Sequence, residues 1–151
     1  MLTTGLLAAA LLIPATGHAE WRVPQVLLKP PASVQSAGSG YADLQLMRDR
    51  IGEETVCWVL SFETPQRPYG IFLRRDRTGA PDPAVLKIST APHNPLPWPG
   101  GASMSGCGRV ARGVVAAIRT APARYYLDIP TPRYPRGELR ARLRGPVVRA
   151  G

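Results

Sequence analysis

Histidine is almost missing from this chain: His18 and His93 are the only two in 151 residues. Imidazole is the commonest metal ligand and the usual general base near neutral pH, so its scarcity bears on two large classes of function. No His-x-His and no His-Glu-x-x-His spacing occurs, which leaves no zinc or copper motif. No metal and no cofactor are expected. Nucleophilic catalysis would have His93 as its one imidazole base, and His93 stands between Pro92 and Asn94 in a proline-rich stretch that reads as a solvent-exposed loop. Ser103, Ser105 and Cys107 sit among glycines, but not as the Gly-x-Ser-x-Gly elbow of a hydrolase. The same stretch is no phosphate loop, because no Gly-Lys-Ser/Thr follows it. Glu53 and Glu54 fall in a turn, where carboxylates are ordinarily just solvated. The chain is therefore not expected to be an enzyme.

Long apolar runs are lacking as well. The run Leu6–Ile13 is unbroken but far short of the roughly 20 residues that a membrane helix needs. Pro14 interrupts it, and Gly17-His18-Ala19 places small residues at the −3 and −1 positions of a cleavage site. That is the pattern of a secretory signal peptide over residues 1–19, although no Lys or Arg precedes the run. The expected mature chain begins at Glu20, is secreted to the medium or cell envelope, and has no transmembrane segment. Lysine is scarce too: Lys29 and Lys87 are the only lysines, so arginine carries nearly all of the basic side of a net charge of +9. Such a charge favours anionic partners at long range. Nucleic acid is not expected, given export and the absence of aromatic-basic interleaving.

Cysteine is limited to Cys57 and Cys107. In an exported chain two thiols most simply mean one disulfide, with separate buried thiols as the alternative.

What the chain does have is short apolar alternation between Gly/Pro turns. Trp21, Val23, Val26 and Leu27 mark a first strand, and residues 30–40 an irregular connection. Ala42, Leu44 and Leu46 alternate with polar residues, as do Val56, Trp58, Leu60 and Phe62 with Cys57, Val59 and Ser61. Further strands are predicted over 69–74, 84–88, 124–129 and 138–143, and an exposed loop over 92–106. Arg109–Thr120 is the one predicted helix, with Val110, Val114, Ala117 and Ile118 at helical spacing. Many short strands and one small helix predict an all-β sandwich. The expected organisation is a signal peptide over 1–19, an N-terminal strand and connection over 20–38, one domain over 39–145, and a tail over 146–151.

The stretch from Tyr125 to Arg140, Tyr-Tyr-Leu-Asp-Ile-Pro-Thr-Pro-Arg-Tyr-Pro-Arg-Gly-Glu-Leu-Arg, resembles the closing motif of CHRD (chordin) domains. In that motif a Tyr-rich strand leads through a threonine and a Tyr/Phe-Pro-x-Gly turn into Glu-Ile-Arg-Gly. Cys57-Trp58 and Gly106-Cys107 look like the paired cysteines of bacterial members, Gly79 and Pro83 like the family's Gly-x-x-Gly-Pro turn, and Ser39–Ala42 like its opening strand. The resemblance runs in order from Ser39 to Leu143. It implies an extracellular module with a Greek-key, immunoglobulin-like β-sandwich. One departure concerns chemistry: Phe72, Arg74 and Pro130 stand where family members commonly carry histidines, and none of the three can replace a histidine as a metal ligand.

The arginines are the remaining signal. Arg140, Arg142 and Arg144 follow Glu138 at alternate positions, about 7 Å apart along one strand face, with Leu139, Ala141 and Leu143 turned to the core. Arg74, Arg75 and Arg77 form a second cluster. Guanidinium groups present planar donors suited to phosphate, sulfate or carboxylate. A charged edge strand that merely discourages aggregation has the same pattern. Arg140 also matches the Glu-x-Arg motif and is a candidate ion-pair partner of Glu138. The function expected is a secreted, non-catalytic binding module for an extracellular protein or an anionic cell-surface polymer. The alternative is a metal-dependent or hydrolytic extracellular enzyme, now degenerate.

Overall fold

The computed structural model describes residues 17–77, 82–88 and 100–151. Most of the signal-peptide segment, Gly79, His93 and the greater part of the proline-rich stretch lie outside the described residues.

The fold is an all-β sandwich of two antiparallel sheets with one helix. Its first strands are β1 (Ala19–Leu28), β2 (Ser39–Arg48), β3 (Glu54–Thr64), β4 (Phe72–Arg75), β5 (Ala84–Lys87) and β6 (Gly100–Val110). The helix α1 (Val114–Thr120) and a 3-10 turn at Pro122–Arg124 follow, and β7 (Tyr125–Ile129), β8 (Leu139–Arg142) and β9 (Val148–Arg149) complete the chain. One sheet runs β6-β3-β2-β1-β9 and the other β5-β4-β7-β8.

The alternation in the sequence becomes the core directly. Ala42, Leu44 and Leu46 of β2 and Val56, Leu60 and Phe62 of β3 are buried, and Trp58 packs partly against them. Leu73, Leu127, Ile129, Leu139 and Ala141 face them from the other sheet. Val115 and Ile118 of the helix join the same cluster. Pro24 is accommodated in β1 because the β1–β2 register shifts between Val23 and Val26, and a bulge is where a strand tolerates proline.

Three segments differ from the sequence reading. Residues 100–106 are strand, not loop, and the helix begins at Val114 instead of Arg109. The reason lies in close packing: a Cβ on Gly106 would press into the Trp58 ring, and one on Gly108 into Leu86. With Ala102, Gly106 and Gly108 small, only Met104 and Val110 on the inward face of β6 are large and apolar, too few and too far apart to read as strand alternation. The segment 146–151, expected as a tail, carries β9, which pairs Trp21 with Arg149 and Arg22 with Val148.

Cys57 and Cys107 are directly opposed on β3 and β6 and form a disulfide, with their Cα atoms 3.9 Å apart. Among the described residues no helix is long and apolar enough to cross a membrane.

Candidate anion-binding face

Strand order brings the two arginine clusters together. In the second sheet β7 lies between β4 and β8, so Arg74 pairs with Tyr126, which pairs with Arg142, while Phe72 pairs with Asp128, which pairs with Arg140. All six side chains share the outer face, because residues opposed across a sheet point the same way. Leu73, Leu127 and Ala141 occupy the alternate positions and are buried.

Asp128 organises this face. It is buried, and its Oδ2 accepts the Nε–H of Arg74 at 3.0 Å while its Oδ1 lies 3.5 Å from Nη2 of Arg140. Burial raises its carboxyl above the usual value, against the downward pull of Arg140 and Arg74. Each arginine is held by more than charge. Arg74 donates to the Asp82 carbonyl at 3.0 Å and lies 4.5 Å over the Phe72 ring. Arg140 donates to the Arg136 carbonyl at 2.6 Å and lies 4.5 Å over Tyr126. These contacts hold planar guanidinium groups in single orientations, which lowers the entropy lost when they grip a ligand. The Nε of Arg140 is buried without a hydrogen-bond partner among the described residues.

A cleft of about 470 Å³ opens on this face. Tyr126, Asp128, Arg74 and Arg140 lie along it, with Arg77, Asp82, Pro135 and Arg136 contributed by the flanking loops. The phenol of Tyr126 donates to Asp82 Oδ2 at 2.5 Å, and the backbone N–H of Arg77 donates to Asp82 Oδ1 at 2.7 Å. These two bonds lower the Asp82 pKa, while burial and then the Asp82 bond push that of Tyr126 well above the ordinary phenol value. Four arginines and two aspartates thus border the cleft, which keeps a cationic excess.

The predicted site residues separate into groups. Arg74, Arg77 and Arg140 line the cleft. Arg142 lies on the same face, but its Nη1 is engaged by Asp76 at 2.7 Å and by the Ala123 carbonyl at 2.7 Å. Arg75 points to the opposite side, where it lines a separate groove beside Thr120 and Arg124. Arg144 is exposed beyond the end of β8. Arg140 is paired with Asp128, not with Glu138; Glu138 is buried and takes a hydrogen bond from the Ser36 hydroxyl at 2.6 Å. Phe72 and Arg74 lie on this face, and Pro130 is buried just past β7.

Sequence reasoning missed Asp82, Tyr126, Asp128 and Arg136. The parity of Tyr126 and Asp128 in one strand was readable, but their neighbours depend on strand order. Elsewhere, Glu54 is not a solvated turn residue: it is buried and accepts the Val115 N–H at 2.9 Å. Glu53 pairs with Arg109 at 2.9 Å, Ser103 bonds Ser61, and the sulfur of Cys107 is held in the disulfide. Among the described residues no three His, Cys, Asp or Glu side chains lie together as a metal site would require. In comparisons with known proteins, no family model, no curated protein and no solved structure matches the chain.

Proposed function

We propose that this chain is a secreted, non-catalytic binding module of the CHRD type that takes an anionic cell-surface polymer on the outer face of its second sheet. One observation carries the reading. Arg74 and Arg140 are held around Asp128, while Arg77 and Arg136 border the same cleft, exposed and with their side chains unpartnered among the described residues. Ordered cations below and uncommitted cations at the rim suit repeated phosphate, sulfate or carboxylate groups, each taken by charge-assisted hydrogen bonds. An open face, unlike a closed pocket, admits a chain that continues past the site at both ends. Secretion is supported by the apolar leader run and the disulfide, since disulfides persist in oxidising compartments.

The test is binding to immobilised heparin and to teichoic acid across a salt series. Replacing Arg77 and Arg136 together by Ser should weaken binding about tenfold or more, as expected for the loss of about 1.4 kcal/mol. The pair Arg22→Ser and Arg149→Ser removes the same charge from the other sheet and should change affinity by no more than about twofold, the scale of screened long-range attraction. Equal losses in both variants, or no binding by the wild-type protein, would overturn the proposal.

A further inference from the structure

The edges of the two sheets are not guarded alike. Strand β9 is two residues long, β5 follows Pro83 and ends in Lys87, and β8 carries Arg140 and Arg142. Short length, proline and charge are the ordinary means of keeping an edge from pairing. Strand β6 has none of them over its first nine residues, and its one charge is Arg109 near the end. It runs for 11 residues, pairs only with β3 among the described residues, and has no charge or proline from Gly100 to Gly108.

The register shows which backbone groups this edge leaves open. Opposed residues of an antiparallel pair alternate between hydrogen-bonded sites, with Cα atoms about 5.5 Å apart, and closer non-bonded sites at about 4.5 Å. Cys57 and Cys107, at 3.9 Å, occupy a non-bonded site. The hairpin on the other side of β3 agrees: the Asp49 N–H bonds the Glu53 carbonyl, and counting pairs from there directs the backbone groups of Cys57 towards β2. Gly101, Ser103, Ser105, Cys107 and Arg109 therefore turn their N–H and C=O groups away from β3, to an edge that no other described residue pairs.

We propose that β6 is the interface of a homodimer, in which it pairs antiparallel with β6 of a second copy about a two-fold axis at Ser105. That register is self-complementary. Ser105 meets its own mate, Ser103 meets Cys107, and Gly101 meets Arg109, so all five outward-turned residues are bonded at once. Charge agrees with the same register. Glu63, opposite Gly101 on β3, is exposed and leans over it: a Cβ on Gly101 would lie 3.1 Å from the Glu63 Cγ. Within its own copy Arg109 pairs with Glu53 through exposed side chains, a contact of little worth. In the dimer it would exchange that partner and cross the second copy's Gly101 about 10 Å from Glu63, two strand spacings, a gap that the two side chains span together. Glycine at position 101 keeps the path clear. The two five-stranded sheets would then form one continuous sheet of ten.

Sedimentation of the secreted protein across a micromolar concentration series tests this, and a dimer mass is expected. Ser105→Pro removes an N–H that points out of the sheet, a change edge strands tolerate, and should give a monomer with an unchanged circular dichroism spectrum. Ser105→Cys adds a readout that does not depend on loss of assembly. Its two copies would sit about 5.5 Å apart by Cα, within disulfide reach, and should cross-link on mild oxidation. Ser61→Cys, on the same face one strand further in, should not. A wild-type monomer, a Ser105→Pro dimer, or equal cross-linking by both cysteine variants would overturn the proposal.

Discussion

Gly137 stands so close to Asp128 that a Cβ at position 137 would overlap the Oδ1 of that carboxylate. The same glycine has φ +115, a conformation L side chains rarely adopt. The turn between β7 and β8 therefore has two physical reasons to carry glycine at position 137, and both bear on the arginines that Asp128 orients. Gly137→Ala should lower stability by about 2 kcal/mol or more, since alanine is strained at positive φ even before the overlap. It should also weaken polyanion binding in protein that remains folded, because a displaced Asp128 no longer holds Arg74 and Arg140. A shift in the denaturant midpoint with unchanged affinity would separate the turn from the site.

The Tyr126–Asp82 hydrogen bond predicts stability limits at both ends of the pH scale. Asp82 is lowered from its ordinary 3.8, so its contribution is present above that pH and is lost as pH falls through the lowered value. Tyr126 is raised above its ordinary 10.0, so its contribution is complete below that pH and is lost as pH rises beyond it. Phenolate absorbance should show one tyrosine resisting ionisation in the folded protein. Asp82→Asn should bring that tyrosine down only partway, because burial is the larger cause of its shift.

Glu54 acts as a helix cap from a distance. Gly113 at the N-cap of the helix has no side chain to offer, and the Glu54 carboxylate takes the Val115 N–H instead. Glu54→Ala should cost about 1–3 kcal/mol by leaving a buried N–H unsatisfied. Glu54→Gln, which keeps an acceptor oxygen, should cost less. Thermal unfolding of the two variants side by side checks the order.

The Cys57–Cys107 disulfide closes a separation of 50 residues, and the chain-entropy model assigns such a loop on the order of 4 kcal/mol. Replacing both cysteines by Ser should lower stability by up to that amount. Ser61–Ser103 and the rest of the β3–β6 ladder should hold the same register, so amide exchange in β3 should accelerate uniformly and not vanish at one end. Mass spectrometry of the purified protein without reductant should show the cross-link.

Much of this molecule was legible before any coordinate. Period-two alternation marked β2 and β3, and Leu139, Ala141 and Leu143 pointed inward as expected, because a half-buried strand must alternate. The inward face of β6 was hidden by its glycines, whose role is to make room for Trp58 and Leu86. The arginines were visible as two separate runs, yet nothing in a linear pattern says that β7 lies between β4 and β8. Only that order put Asp128 beneath Arg74 and Arg140 and drew Arg142 to Asp76, whereas Arg75 turns to the far side simply by alternating with Arg74. Alternation is a local property of the chain and can be read from it. Partnership across a sheet is a long-range choice, made by the packing of the whole core.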